Sequence, residues 1–192
     1  MTRDPLALFD QWFREARQAG VKVPEAMTLA TADADGAPSA RMVLLKGVDD
    51  EGFLFYTGYD SRKARELERN PRAALVFYWR PLGKQVRVEG RVERVSKPES
   101  AAYFATRPRG SQLAAWASHQ SRPLESRDEL ERRYTELERE YEGRDVPLPP
   151  HWGGFRLRPE RIEFWQHRDN RLHDRICYTR AREGWSAERL SP

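Results

Sequence analysis

The stretch Ala26–Gly58, "AMTLATADADGAPSARMVLLKGVDDEGFLFYTG", decides how the chain is read. It holds three apolar runs separated by "DADG" and "DDEG". Acidic-glycine breaks between runs rich in Val, Leu, Phe and Thr mark hairpin turns, so strands are expected near 26–32, 38–47 and 52–57. "RAALVFYW" (72–79) reads as a fourth strand. "KQVRVEGRVERV" (84–95) reads as a fifth, with Val86, Val88 and Val92 on one face and Gln85, Arg87, Glu89, Arg91 and Glu93 on the other.

Around these strands the period changes to that of helices. Leu6, Leu8, Phe9, Trp12, Phe13 and Ala16 follow Asp4 and Pro5 and precede Gly20, which predicts a helix over 4–19. Ser61 and Pro71 bracket a short helix at 62–69. Ser96 and Glu99 have capping-box spacing ahead of another, and a further helical piece is expected over 110–117. Ser126 with Glu129 opens a helix striped by Leu130, Tyr134, Leu137 and Tyr141 and stopped by Gly143. "DVPLPPHWGG" is a connector, and strands near 154–165, 174–180 and 185–190 finish the chain. This order is not βαβ alternation; it suits an antiparallel barrel with helices at its ends.

The bulk numbers narrow the function classes. A chain of 192 residues suits one domain, and no linker or repeat divides it. Net charge is +4, carried by 29 Arg and 5 Lys, which favours anionic partners. The basic residues are mixed with acidic ones rather than clustered, so a nucleic-acid binder ranks last. The single cysteine, Cys177, allows no disulfide within the chain, and no Cys-His metal spacing exists. No apolar run reaches transmembrane length and no signal-peptide core is visible at the N-terminus, so a cytoplasmic protein is the default expectation.

Four segments have the residue types of an anion site. "RMVLLK" puts Arg41 and Lys46 at the ends of an apolar strand, with opposite parity, so a shared ligand has to lie along the strand edge or around its end. "YTGYDSRKA" places Arg62 and Lys63 at a helix start, where cations oppose the helix dipole unless an anion joins them. Tyr103, Arg107 and Ser111 are spaced four apart and would converge on a continuous helix, which Pro108 interrupts. In "FWQHRDNRLHDR", Arg171, His173 and Arg175 alternate, so on a strand they share a face, with Trp165 able to wall a flat ring. The plain alternatives are solvated strand ends, an ordinary cap and a polar helix face. His151 and Cys177 read as structural.

Taken together, "RMVLLK", "YTGYDSRKA", "YFATRPRGSQLAAWASHQS", "PLPPHWGGFRLRPERIEFWQ", "NRLHDR" and the terminal "W…ERLSP" resemble the pyridoxamine 5′-phosphate oxidases, from about Asp4 to Pro192. The resemblance implies a mainly β fold with helices: an antiparallel Greek-key split β-barrel, one domain over 1–192, with a helical insert at about 97–142. It implies a homodimer with FMN at the interface. FMN would be held by Arg41, Met42, Val43, Leu44, Leu45 and Lys46, by Tyr56, Thr57, Arg62 and Lys63, and by Gln85, Gln120, Ser121, Trp165 and Arg175. The substrate phosphate would meet Lys46, Tyr103, Arg107 and Ser111, with Arg171 and His173 over the pyridine ring as the catalytic pair. No metal is implied. The implied reaction is oxidation of pyridoxamine or pyridoxine 5′-phosphate by dioxygen to pyridoxal 5′-phosphate, with hydrogen peroxide and, from the amine, ammonia. Rival readings are a split-barrel flavin oxidase of the phenazine-pathway type and a non-enzymatic carrier of flavin or pyridoxal phosphate. Two departures from the family pattern stand out. Only Met1 to Arg3 precede "DPL", where relatives often carry a segment that folds over substrate. "QHRDN" also replaces a glycine-containing loop, which predicts a stiffer or differently shaped turn.

Overall fold

A computed structural model describes residues 4–192. Met1 to Arg3, where a substrate-covering segment was sought, lie outside them. Helix α1 (Pro5–Gln18) starts as its sequence predicts: the Asp4 side chain accepts from the Leu6 N–H at 2.9 Å, and proline occupies the first turn.

Among the described residues, nine strands form one antiparallel sheet: β1 (Ala26–Ala32), β2 (Pro38–Leu44), β3 (Gly47–Asp49), β4 (Gly52–Gly58), β5 (Arg72–Trp79), β6 (Lys84–Arg94), β7 (Trp152–Gln166), β8 (Asp174–Arg180) and β9 (Trp185–Arg189). Their lateral order is β2-β1-β5-β6-β7-β4-β3, with β8 and β9 continuing from β7. The expected single strand over 38–47 is two strands. It breaks at Leu45 and Lys46 because the chain changes partner there: β2 pairs with β1, whereas the Lys46 N–H already bonds the Leu54 carbonyl at 2.8 Å and β3 pairs with β4. Strands two residues apart in sequence thus sit at opposite ends of the strand order. The sheet has to curl until those ends meet, which makes a barrel with an open seam along β2.

Inside the barrel, Phe9 of α1 packs on Phe53, Phe77 and Trp79 with ring centroids 4.9, 5.0 and 6.0 Å apart. The alternation of β6 is observed: Val86, Val88 and Val92 are buried. At Gly90 the register with β7 shifts, and an added Cβ would lie 2.0 Å from the Arg158 carbonyl oxygen, so only glycine fits this bulge.

Four further helices among the described residues lie between strands: α2 (Arg62–Arg69) between β4 and β5, and α3 (Lys97–Ala105), α4 (Arg109–Ala117) and α5 (Arg127–Glu140) between β6 and β7. Ser61, Ser96 and Ser126 cap α2, α3 and α5 through their hydroxyls, each accepting from the N–H three residues on. Phe104, Leu113, Val146 and Trp152 form a second small core under α5, against the start of β7. No helix among the described residues is long and apolar enough to cross a membrane.

Candidate functional site

The open seam holds a cavity of about 850 Å³. Its wall is the unpaired edge of β2, from Arg41 to Leu44, followed by Lys46. A ligand there lies along the strand edge, which is how Arg41 and Lys46 can face one cavity despite their parity. Leu45 departs from the expected set: it is buried and turns into the barrel core, because the chain crosses there from one end of the sheet to the other. Tyr56, Thr57, Lys63, Tyr103, Arg107, Ser111, Gln120 and Ser121 complete the lining among the predicted residues.

One end of the cavity is cationic. Lys63, 6% exposed, donates to the Thr57 hydroxyl at 3.0 Å and to Gln120 Oε1 at 3.2 Å. Gln120 Oε1 also accepts from the Thr57 hydroxyl (2.7 Å) and the Gly58 N–H (3.3 Å). Both hydrogen-bond partners of this ammonium are neutral. Burial, with the neighbouring charge of Arg41, lowers its pKa to about 8, although Glu66 pulls the other way. A buried cation with neutral partners beside a cavity fits an anionic group such as the phosphate of FMN.

Behind Lys63, Arg41 is fixed by Leu29, Thr31, Ser39 and Glu66. Arg62 does not line the cavity. Its Nε donates to Glu66 Oε1 at 2.7 Å, so the cation at the helix start is answered within the chain by a residue one turn on. Burial would raise the pKa of Glu66. Hydrogen bonds from Thr31, Ser39 and Arg62 and the charge of Arg41 outweigh it and hold the carboxyl at about 2.

The other end is aromatic. Tyr56 stacks on Tyr103 with centroids 3.9 Å apart and on Trp152 at 5.5 Å. Burial, with the charge of Glu99, pushes the Tyr56 phenol up to about 12, so it stays protonated. Gly154 makes room for Tyr56, and Gly153 for the neighbouring Tyr59. A Cβ on Gly154 would meet Tyr56 Cε1 at 2.7 Å, and one on Gly153 would meet the Tyr59 hydroxyl at 2.1 Å. Arg107 lies over Trp152, its guanidinium carbon 4.6 Å from the ring centre, and its buried Nη1 has no hydrogen-bond partner among the described residues. The break between α3 and α4 at Thr106–Pro108 serves the site: Tyr103, Arg107 and Ser111 line one cavity across two helices rather than along one.

Gln85, Trp165, Arg171, His173 and Arg175 lie elsewhere. Gln85 and Arg175 flank Trp165 on neighbouring strands. The His173 ring is 4.6 Å from Trp165 and 5.2 Å from His167. The expected strand face shared by Arg171, His173 and Arg175 is not formed. Asp169–Arg171 is a 3₁₀ turn, Asn170 and Arg171 have φ of 56° and 62°, and β8 starts only at Asp174. The last residue of "QHRDN", Asn170, and Arg171 after it are thus two non-glycine residues in left-handed conformations. His173 Nδ1 accepts the Arg168 N–H at 3.1 Å, which places the proton of the neutral ring on Nε2. Arg175 donates to buried Glu163 at 2.9 Å and to the Ser191 carbonyl at 2.8 Å. Along β7, Trp152 and Trp165 are thirteen residues apart, roughly 40 Å of extended strand.

Several site residues escaped the sequence reading. Trp152 was visible only as part of a connector. Glu66 lay one turn after Arg62, a usable signal. Thr31, Ser39 and Glu163 carried none, since each acts through contacts distant in sequence.

An open-seamed antiparallel barrel with cations and stacked aromatics along the seam defines a split-barrel protein. Residues 13–141 match the family model described as pyridoxamine 5′-phosphate oxidase, and residues 152–192 match the pyridoxine 5′-phosphate oxidase C-terminal dimerisation region. A pyridoxine/pyridoxamine 5′-phosphate oxidase of Rubrobacter xylanophilus is 65% identical over 189 residues, covering 98% of this chain and 87% of its own. One from Paraburkholderia phytofirmans is 57% identical, covering 99% and 90%. The chain belongs to the pyridoxine/pyridoxamine 5′-phosphate oxidase family. Among solved structures, PhzG from Burkholderia lata, in complex with tetrahydrophenazine-1-carboxylic acid, superposes with a TM-score of 0.94 at 35% identity, covering 98% of this chain and 93% of its own. A pyridoxamine 5′-phosphate oxidase-related, FMN-binding protein of Nostoc punctiforme shares the fold, with a TM-score of 0.77 at 18% identity over 95% of this chain and 96% of its own.

Proposed function

We propose that the protein is an FMN-dependent oxidase of pyridoxamine and pyridoxine 5′-phosphates, yielding pyridoxal 5′-phosphate with dioxygen as oxidant. FMN, when bound, supplies the acceptor for the hydride equivalent and its reoxidation by dioxygen. The observation that carries the substrate reading is Arg107, half-buried over Trp152 with a buried, unpartnered Nη1, in a cavity shared with Tyr103, Ser111 and Lys46. An unpaired buried donor is costly, and a substrate phosphate would satisfy it.

Lys63, Thr57 and Gln120, with Arg41 behind them, would hold the FMN phosphate. Arg171 and His173 would orient the substrate ring, with His173 Nε2–H as the available donor. They lie at the far end of β7 from the cavity, so one chain cannot apply both clusters to one ligand. Two copies related by a two-fold axis can, each giving its Trp165–His173 cluster to the other's cavity. The match to a dimerisation region over 152–192 supports this homodimer.

The likeness to PhzG favours one second reading, oxidation of a tricyclic carboxylic acid. An anaerobic visible spectrum of the FMN-loaded protein, before and after pyridoxamine 5′-phosphate, separates the two. Bleaching of the flavin band is expected; a band that stays oxidised would move the function to the second reading or to a carrier.

A further inference from the structure

The least expected group near the cation end of the seam is an acid. Glu66 is 5% exposed and does not line the cavity. Its Oε2 accepts from Thr31 (2.5 Å), Ser39 (2.7 Å) and Arg41 (3.3 Å), and its Oε1 from Arg62 (2.7 Å). A buried carboxylate next to an anion site should repel the anion, so its presence calls for a compensating role.

Arg41 shows what that role is. Its Nη1 donates to the Leu29 carbonyl at 3.2 Å and to Thr31, and its Nη2 to Ser39 and Glu66. The guanidinium is held on four sides before any ligand arrives, so binding does not have to immobilise it. Charge gives a second argument. Arg41, Arg62 and Lys63 against Glu66 leave two positive charges, the complement of a phosphate monoester dianion. We propose that Glu66 is a positioning residue for the phosphate of the bound flavin: it fixes Arg41 and Arg62 beside Lys63 and trims the local charge to that of a dianion. The inference rests on the FMN reading above.

The experiment compares FMN with riboflavin, which lacks the phosphate. Full-length protein stripped of flavin is titrated with each, following flavin fluorescence, for the wild type, Glu66→Gln and Glu66→Asp. Hydrogen bonds to charged groups are strong enough that Glu66→Gln should weaken FMN by about tenfold or more, with riboflavin changed less than about twofold. Glu66→Asp keeps the charge but is one methylene short, and should weaken FMN as well; it carries the test if the glutamine variant does not fold. Tighter or unchanged FMN binding in the variants overturns the proposal, since the acid would then be mere repulsion or irrelevant. Equal weakening of FMN and riboflavin overturns it too, by reducing Glu66 to a fold contact. Wild-type protein that binds FMN no better than riboflavin overturns the cofactor reading itself, and the role of Glu66 with it.

Discussion

Arg107 and Trp152 form a face-on pair, the guanidinium carbon 4.6 Å from the ring centre, at the mouth of a stack that continues through Tyr103 and Tyr56. The pair puts a half-buried cation where a ligand's anionic tail can reach it, and burial lowers the pKa of Arg107. Arg107→Ala should raise KM for pyridoxamine 5′-phosphate by about 10- to 100-fold, the worth of a hydrogen-bonded charge, and leave FMN affinity unchanged. Steady-state kinetics beside a flavin titration checks this, and equal activity on unphosphorylated pyridoxamine would contradict it.

Lys63 makes cofactor binding depend on pH. Burial lowers its pKa from 10.5 to about 8, so its charge is lost as pH rises through that value. FMN affinity should fall between about pH 7 and pH 9, in a flavin titration across that range. Stability of the flavin-free protein moves the other way. The folded pKa lies below the unfolded one, the unfolded chain binds more protons between about pH 8 and pH 10.5, and the lysine's own contribution to stability rises with pH across that window. Lys63→Met should therefore raise the melting temperature of the flavin-free protein at pH 7 while weakening FMN.

Catalysis should need both copies. On the homodimer proposed above, Arg107→Ala and His173→Ala damage different halves of a shared site, so each homodimer should lose activity at substrate concentrations below the raised KM. Refolding the two variants together in equal amounts should restore about a quarter of wild-type activity, because half the dimers are mixed and each mixed dimer has one intact site. No recovery on mixing would mean that both clusters of a site come from one chain.

The two glycines after Trp152 make room for aromatic rings, Gly154 for Tyr56 of the stack and Gly153 for Tyr59 beside Phe155. Gly153→Ala would set a Cβ 2.1 Å from the Tyr59 hydroxyl, and relieving that clash should cost about 1–3 kcal/mol. Thermal denaturation reads the loss. An unchanged melting temperature would mean that Tyr59 moves freely.

Features that depend on near neighbours in the chain are legible from residue order alone. The alternation of Val86, Val88 and Val92, the acidic-glycine turns, and the caps at Ser61, Ser96 and Ser126 follow from backbone chemistry within a few residues, and all are observed. The long motifs carried the resemblance to the family. Tertiary structure decided the rest. Leu45 points inward because two strands adjacent in sequence occupy opposite ends of the sheet order. Glu66 meets Thr31 across 35 residues, and Arg175 meets Ser191 at the chain's end. Arg171 and His173 leave the strand because the turn before β8 winds into a left-handed pair. No local rule foresees these contacts, since each depends on where the closing barrel brings two distant segments together.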